Sequence, residues 1–133
     1  MKASRDDERQ WTEAAETWVK FVRSGLNYYS EFLNGPTLKR IVGHVTGMRV
    51  LDIGCGEGCW SRWFAATGGK VTAIDRSEGL IRAALEEDAR RPLGIRYLVA
   101  DAGKLDMLDP KSFDVAFCFM AIMDIRDYQG AIA

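Results

Sequence analysis

The chain has 133 residues, 47% of them hydrophobic and 28% charged, with a formal net charge of −1. That is enough for one domain around one core, and it excludes a disordered chain. With Lys and Arg scattered and the charge near zero, the whole molecule has no electrostatic reason to seek nucleic acid or an anionic membrane.

Residues 1–8 read as a frayed polar end. From about Arg9 to Leu33, Trp11, Ala15, Trp18, Val22, Leu26, Tyr29 and Leu33 recur at helical spacing, with Gly25 as a candidate break. Asn34-Gly35-Pro36 reads as a stop followed by a start, since proline is tolerated in the first turn of a new helix. A short helix from about Thr37 to Val45 leads to Gly47. The period then changes. Arg49–Ile53 is a short apolar run ending in glycines, as a buried parallel strand should be. Cys59 to Ala66 reads as a helix, and 71–74 as a second strand. Ser77 can cap a helix to about Ala89 whose buried face is Leu80, Ile81, Ala84 and Leu85. Ile95–Val99 and Asp114–Phe119 read as third and fourth strands, and Ile122–Ala133 as the start of a helix. Strands alternating with helices imply a parallel sheet with right-handed crossovers.

The most informative segment is Asp52-Ile53-Gly54-Cys55-Gly56-Glu57-Gly58, where a strand ends, three glycines alternate and a helix begins. Glycines let the backbone turn tightly and approach a ligand, and the helix start offers free N–H groups. The spacing is not the dinucleotide G-x-G-x-x-G, because Cys59 stands where its third glycine would be. Asp52 would repel a pyrophosphate but suits a ligand carrying ammonium and sulfonium groups. Asp75 ends the second strand 19 residues past Gly56, where a carboxylate can accept from both ribose hydroxyls. Asp101 closes the third strand, where it can accept from an adenine amine. Three acidic residues thus meet at the carboxyl edge of the sheet, the edge where open α/β sheets bind ligands.

These residues resemble motif I of the class I S-adenosylmethionine (AdoMet) dependent methyltransferases, in the small-molecule group that includes the ubiquinone and menaquinone biosynthesis enzymes. Ala73-Ile74-Asp75-Arg76-Ser77 resembles the ribose motif, Ala100-Asp101-Ala102 the adenine motif and Phe113–Phe117 the fourth-strand motif. The resemblance covers about residues 36–125. It implies a Rossmann-like three-layer α/β sandwich with a parallel sheet of order 3-2-1-4, part of a seven-stranded fold. It also implies AdoMet as cofactor: Asp52, Gly54, Cys55, Gly56 and Gly58 at the methionine moiety, Asp75 and Arg76 at the ribose, and Leu80, Asp101 and Ala102 around the adenine. Phe119 and Met120 would lie near the reactive methyl. Residues 1–35 are expected to form a helical cap, with Tyr28 or Tyr29 candidates to close the pocket, and residues 36–133 a cofactor domain that is incomplete at its C-terminus. The expected partner is a small-molecule methyl acceptor, with no nucleic acid and no membrane. The fourth strand, left as an edge, would invite a homodimer. A catalytically silent AdoMet-binding module is the competing reading. No catalytic base is assigned, and Asp124 reads as a solvated loop carboxylate.

The remaining features carry less. Cys55 and Cys59 form a C-x3-C pair with one histidine, His44, in the chain, so a zinc site is not expected and both thiols read as small residues filling tight space. The three cysteines, odd in number, fit a reducing compartment. Met1–Arg9 is too charged for a signal peptide, and no apolar run approaches the roughly 20 residues of a membrane helix, so the expected location is cytoplasmic.

Overall fold

A computed structural model describes residues 5–133, with side chains from Arg9 onward. A four-stranded parallel sheet has the order β3-β2-β1-β4, built from β1 (Arg49–Ile53), β2 (Lys70–Asp75), β3 (Arg96–Val99) and β4 (Val115–Phe117). β1 is paired on both sides, and every residue of it after Arg49 is buried, which is why Val50, Leu51 and Ile53 read as an apolar run around the one buried carboxylate, Asp52.

Between the strands lie α3 (Cys59–Ala66) and α4 (Glu78–Arg90), preceded by α1 (Arg5–Arg23) and α2 (Gly35–Val42). Right-handed crossovers that step in one direction from β1 to β3 put α3 and α4 on one face. There Leu38, Val45, Val50, Phe64, Val71, Ile81 and Ala84 form the larger core. The step back from β3 to β4 must cross the other face. It does so as irregular chain, with Leu105, Leu108 and Phe113 packed on Leu51, Ile53 and Ile74.

Several boundaries differ from expectation. α1 begins at Arg5, so residues 5–8 are helical; the rest of the expected frayed end, residues 1–4, lies outside the described residues. Asn34-Gly35-Pro36 is no interruption. A π-helix, Tyr29–Asn34, runs straight into α2 with Asn34 and Gly35 both in helical backbone. Leu85 is 50% exposed, one residue and about 100° around the helix from buried Ala84. β4 is shorter than predicted because Asp114 leaves the strand to grip Arg49, accepting from its backbone N–H at 2.8 Å and from its guanidinium at 2.7 Å. After β4 come a 3-10 turn, Ile122–Asp124, and α5, Tyr128–Ile132, rather than one continuous helix. No helix among the described residues is long and apolar enough to cross a membrane.

Candidate cofactor cleft

One cleft opens at the carboxyl ends of β1, β2 and β3 and at the segment after β4. It encloses about 1290 Å³, open solvent at its mouth included. The first turn after β1 builds its floor. Gly54 has φ +71°, and a Cβ there would stand 2.5 Å from the Ala121 Cβ, so the loop closes against the chain that follows β4 only because this residue has no side chain. Gly58 is the left-handed N-cap of α3, and a Cβ on it would meet the Tyr97 hydroxyl at 2.6 Å. Of the twelve residues the sequence proposes for the cofactor, Asp52, Gly54, Cys55, Gly56, Asp75, Arg76, Leu80, Asp101, Ala102, Phe119 and Met120 line the cleft. Gly58 does not. It packs and turns the loop, one step behind the cleft wall.

The three carboxylates differ in their surroundings. Asp75 is held by the backbone: the Gly56 N–H donates to Oδ2 and the Ser77 N–H to Oδ1, both at 2.9 Å. Burial raises its pKa, and these amide bonds counteract the rise. A carboxylate has about four acceptor sites, so capacity for a ligand's hydroxyls remains. Asp52 is buried beneath the loop and accepts the Ser61 hydroxyl at 2.6 Å. Burial pushes it up to about 7, against the Ser61 bond and with the Asp75 charge adding to the rise. Asp101 is exposed, and its Oδ1 accepts the Gly103 N–H at 2.9 Å, which orients it at the rim.

The roof is α1 and the π-helix. α1 lies on α4, with Ala15 buried at Gly79, where an added Cβ would meet the Ala15 methyl at 2.9 Å. Trp11, Trp18 and Val22 face the cleft from α1, and Asn27, Ser30 and Glu31 from the segment that follows. Tyr28 and Tyr29, expected to close the pocket, do not line it and are 57% and 67% exposed. Among the polar links that fasten the roof, those of Trp60 and Arg23 tie it to α3, the glycine loop and α4. Trp60 Nε1 donates to Ser30 Oγ at 3.3 Å. Arg23, at the end of α1, donates to Glu57 Oε2 at 3.0 Å and to the Ala83 carbonyl at 3.1 Å. Glu57 is buried and is also gripped by Arg62 at 2.8 and 2.9 Å.

Glu57 was not singled out by sequence reasoning, which treats it as a spacer between glycines. A charged residue inside a tight loop, with arginines at 23 and 62, was the available signal. Cys59 is exposed at the cleft rather than filling tight space, and no cluster suited to a metal occurs among the described residues. Met120 carries φ +54°, an uncommon backbone state for a side-chain-bearing residue and one that concentrates at functional sites.

A family described as methyltransferase domain has a sequence pattern that matches residues 50–133. The chain belongs to the methyltransferase domain family. Among curated relatives it is 37% identical over 97 residues to the ubiquinone biosynthesis O-methyltransferase of Paraburkholderia phymatum, spanning 71% of this chain and 42% of that one. It is 35% identical over 102 residues to the enzyme of the same name from Coxiella burnetii, spanning 75% and 43%. The chain therefore spans less than half the length of these relatives. Among solved structures, a SAM-dependent methyltransferase from Aquifex aeolicus superposes with a TM-score of 0.71 over 86% of this chain and 62% of that one at 22% identity, which shows the fold. Phosphoethanolamine N-methyltransferase 2 of Haemonchus contortus, in complex with S-adenosyl-L-methionine, gives a TM-score of 0.64 at 33% identity over 74% of this chain and 23% of that one.

The cleft of this methyltransferase domain is electrostatically one-sided. Glu31, Asp52, Glu57, Asp75, Asp101 and Asp124 line it, against the guanidiniums of Arg76 and Arg126. Glu57 is neutralised by Arg23 and Arg62. Asp52 forms no ion pair among the described residues and accepts the Ser61 hydroxyl, so a cation delivered by a ligand would compensate a buried carboxylate. The donor set therefore fits a ligand with a sulfonium and an ammonium.

Proposed function

We propose that this chain is the cofactor-binding part of an AdoMet-dependent methyltransferase acting on a small molecule. The observation that carries the reading is Asp75, fixed by the Gly56 and Ser77 amides at the end of β2 in a cleft whose acidic residues outnumber its basic ones. In this reading Asp75 and the Arg76 segment hold the ribose. Leu80, Asp101 and Ala102 surround the adenine, and Asp52 with Gly54, Cys55 and Gly56 receives the methionine end. Gly58 acts from behind by shaping the loop. When bound, AdoMet supplies a methyl group already activated on a sulfonium. The protein's own task is then to orient, to exclude water and to hold donor and acceptor at near-attack distance, an effect that removes up to roughly 7–11 kcal/mol of barrier. Residues up to Asn34 act as the cap over both ligands. A small-molecule acceptor suits a cleft roofed by that cap. The outer edge of β4, unpaired among the described residues, is where a further strand or a second copy of the chain adds. The free cysteines fit a cytoplasmic setting.

The test is calorimetric titration of S-adenosylhomocysteine (AdoHcy) into the 133-residue chain, beside Asp75→Ala and beside NADH. The reading predicts micromolar AdoHcy binding, a loss of roughly tenfold to a hundredfold in Asp75→Ala, and no NADH binding. NADH binding without AdoHcy binding would contradict it.

A further inference from the structure

The cleft has two ends, and one of them is left over once the cofactor's share is set aside. Gly54 closes against Ala121, and the chain just before Ala121 holds Met120 and Phe119. Phe119 meets the Trp60 ring edge-on at 5.3 Å, and Trp60 bonds Ser30. Trp60, Phe119, Ser30, Asn27 and Glu31 therefore surround the end of the cleft nearest the methionine loop, where an acceptor must stand. Glu31 is half-buried there, and no ion pair to it is formed among the described residues. Glu31 follows Ser30, whose hydroxyl accepts the Trp60 indole N–H, and lines the same cleft. Lys39 sits over Trp63 at 4.5 Å and Trp60 at 5.5 Å and does not line the cleft, whose guanidiniums are those of Arg76 and Arg126.

We infer that this end of the cleft takes an amine carried on a flat, apolar frame, with Glu31 as its counter-charge and Trp60 and Phe119 as its walls. The inference rests on the cofactor reading above and adds the class of acceptor. Bound as an ammonium beside Glu31, the amine first gives one proton to water; its freed lone pair then bonds the methyl carbon while the carbon–sulfur bond breaks onto sulfur, and the positive charge returns to nitrogen. A carboxylate and an aromatic ring stabilise that returning charge. An anionic oxygen acceptor would instead be repelled by the neighbouring carboxylate. Glu31 thus favours a cationic over an anionic acceptor at the binding step.

The test uses the 133-residue chain saturated with AdoHcy, whose binding is measured first. Benzylamine, benzyltrimethylammonium, benzyl alcohol and benzoate are then titrated by ligand-observed NMR. The cations should bind roughly tenfold more tightly than the alcohol, and benzoate more weakly still. In Glu31→Gln, held saturated with AdoHcy at the affinity measured for that variant, the cation preference should fall to that of the alcohol. Alcohol or benzoate binding as tightly as the cations would overturn the inference, as would a preference unchanged in Glu31→Gln. The comparison among probes on the wild-type chain needs no variant to fold. Failure of AdoHcy itself to bind overturns the cofactor reading and this inference with it; AdoHcy binding without cation preference overturns this inference alone.

Discussion

The two walls of the cleft are held in different ways. The lower wall is the carboxyl edge of the sheet. Its positions are set by strand register and a packed core: Val50, Phe64, Ala73 and Ile74 are fully buried, and the Gly54 and Cys55 N–H groups both bond the Ile74 carbonyl at 2.9 Å. The upper wall, α1 and the π-helix, rests on α4 through Ala15 and on the rest through a few polar links, chiefly Arg23–Glu57 and Ser30–Trp60. Segments with few buried apolar contacts open at lower free energy than core strands. The arrangement gives a rigid cofactor edge under a roof that can lift to admit ligands.

If this contrast is right, damage to the lower wall should be global and damage to the roof local. Phe64→Ala removes the largest fully buried ring, beside Phe117 at 5.0 Å, and should cost about 3–5 kcal/mol in urea unfolding. Asp52→Asn should act in the opposite direction. The folded carboxyl titrates near 7 and the unfolded one near 3.8, so the folded state holds the extra proton between those values. Stability is then full below about pH 4, falls as pH rises through about 7, and stays low above it. Asp52→Asn should remove that slope and stabilise the ligand-free chain by on the order of 3–4 kcal/mol at pH 8, while weakening AdoMet binding; parallel melts at pH 5 and pH 8 check the sign.

The roof should respond more gently. Arg23→Ala leaves Glu57 its Arg62 partner, so about 1–2 kcal/mol of stability should be lost. The clearer effect should be faster AdoHcy release, followed by tryptophan fluorescence, since Trp11 and Trp18 line the cleft from α1. Tyr29→Ser touches an exposed ring outside the cleft and should change neither stability nor AdoHcy affinity beyond about 0.5 kcal/mol. A large effect there would mean that the roof closes further than it does in this structure.

The same contrast explains what could be read in the sequence. The lower wall announces itself because each of its signals is local. β1 is a short run of Val50, Leu51 and Ile53 around Asp52, the glycines alternate at its end, and Ser77 caps α4 by accepting the Leu80 N–H at 3.3 Å. The parallel sheet followed from the alternation of strands and helices, and its order from the family resemblance. The roof misleads because its apolar stripe carries a period of 3.6 residues from Arg9 to Leu33 straight across the break proposed at Gly25, where the structure does turn, at φ +74°. The turn after Arg23 and the π-helix break that phase, so Leu26, Tyr29 and Leu33 end up at 69%, 67% and 50% exposed. Trp11, Trp18 and Val22 of the expected stripe reach the cleft, but past Arg23 the residues that reach it are Asn27, Ser30 and Glu31, outside the stripe. Glu57 stayed invisible for a related reason: its partners Arg23 and Arg62 come from two helices that only the fold brings together.

Hydrogen exchange of the 133-residue chain with and without AdoHcy tests the central claim most directly. Added AdoHcy should slow exchange at Gly54–Gly58, Asp75–Leu80 and Asp101–Gly103, and should also protect residues 11–31, which exchange fast without it. Protection confined to other surfaces, or roof amides as slow without AdoHcy as those of β1, would contradict the account of a fixed cofactor edge beneath a movable cap.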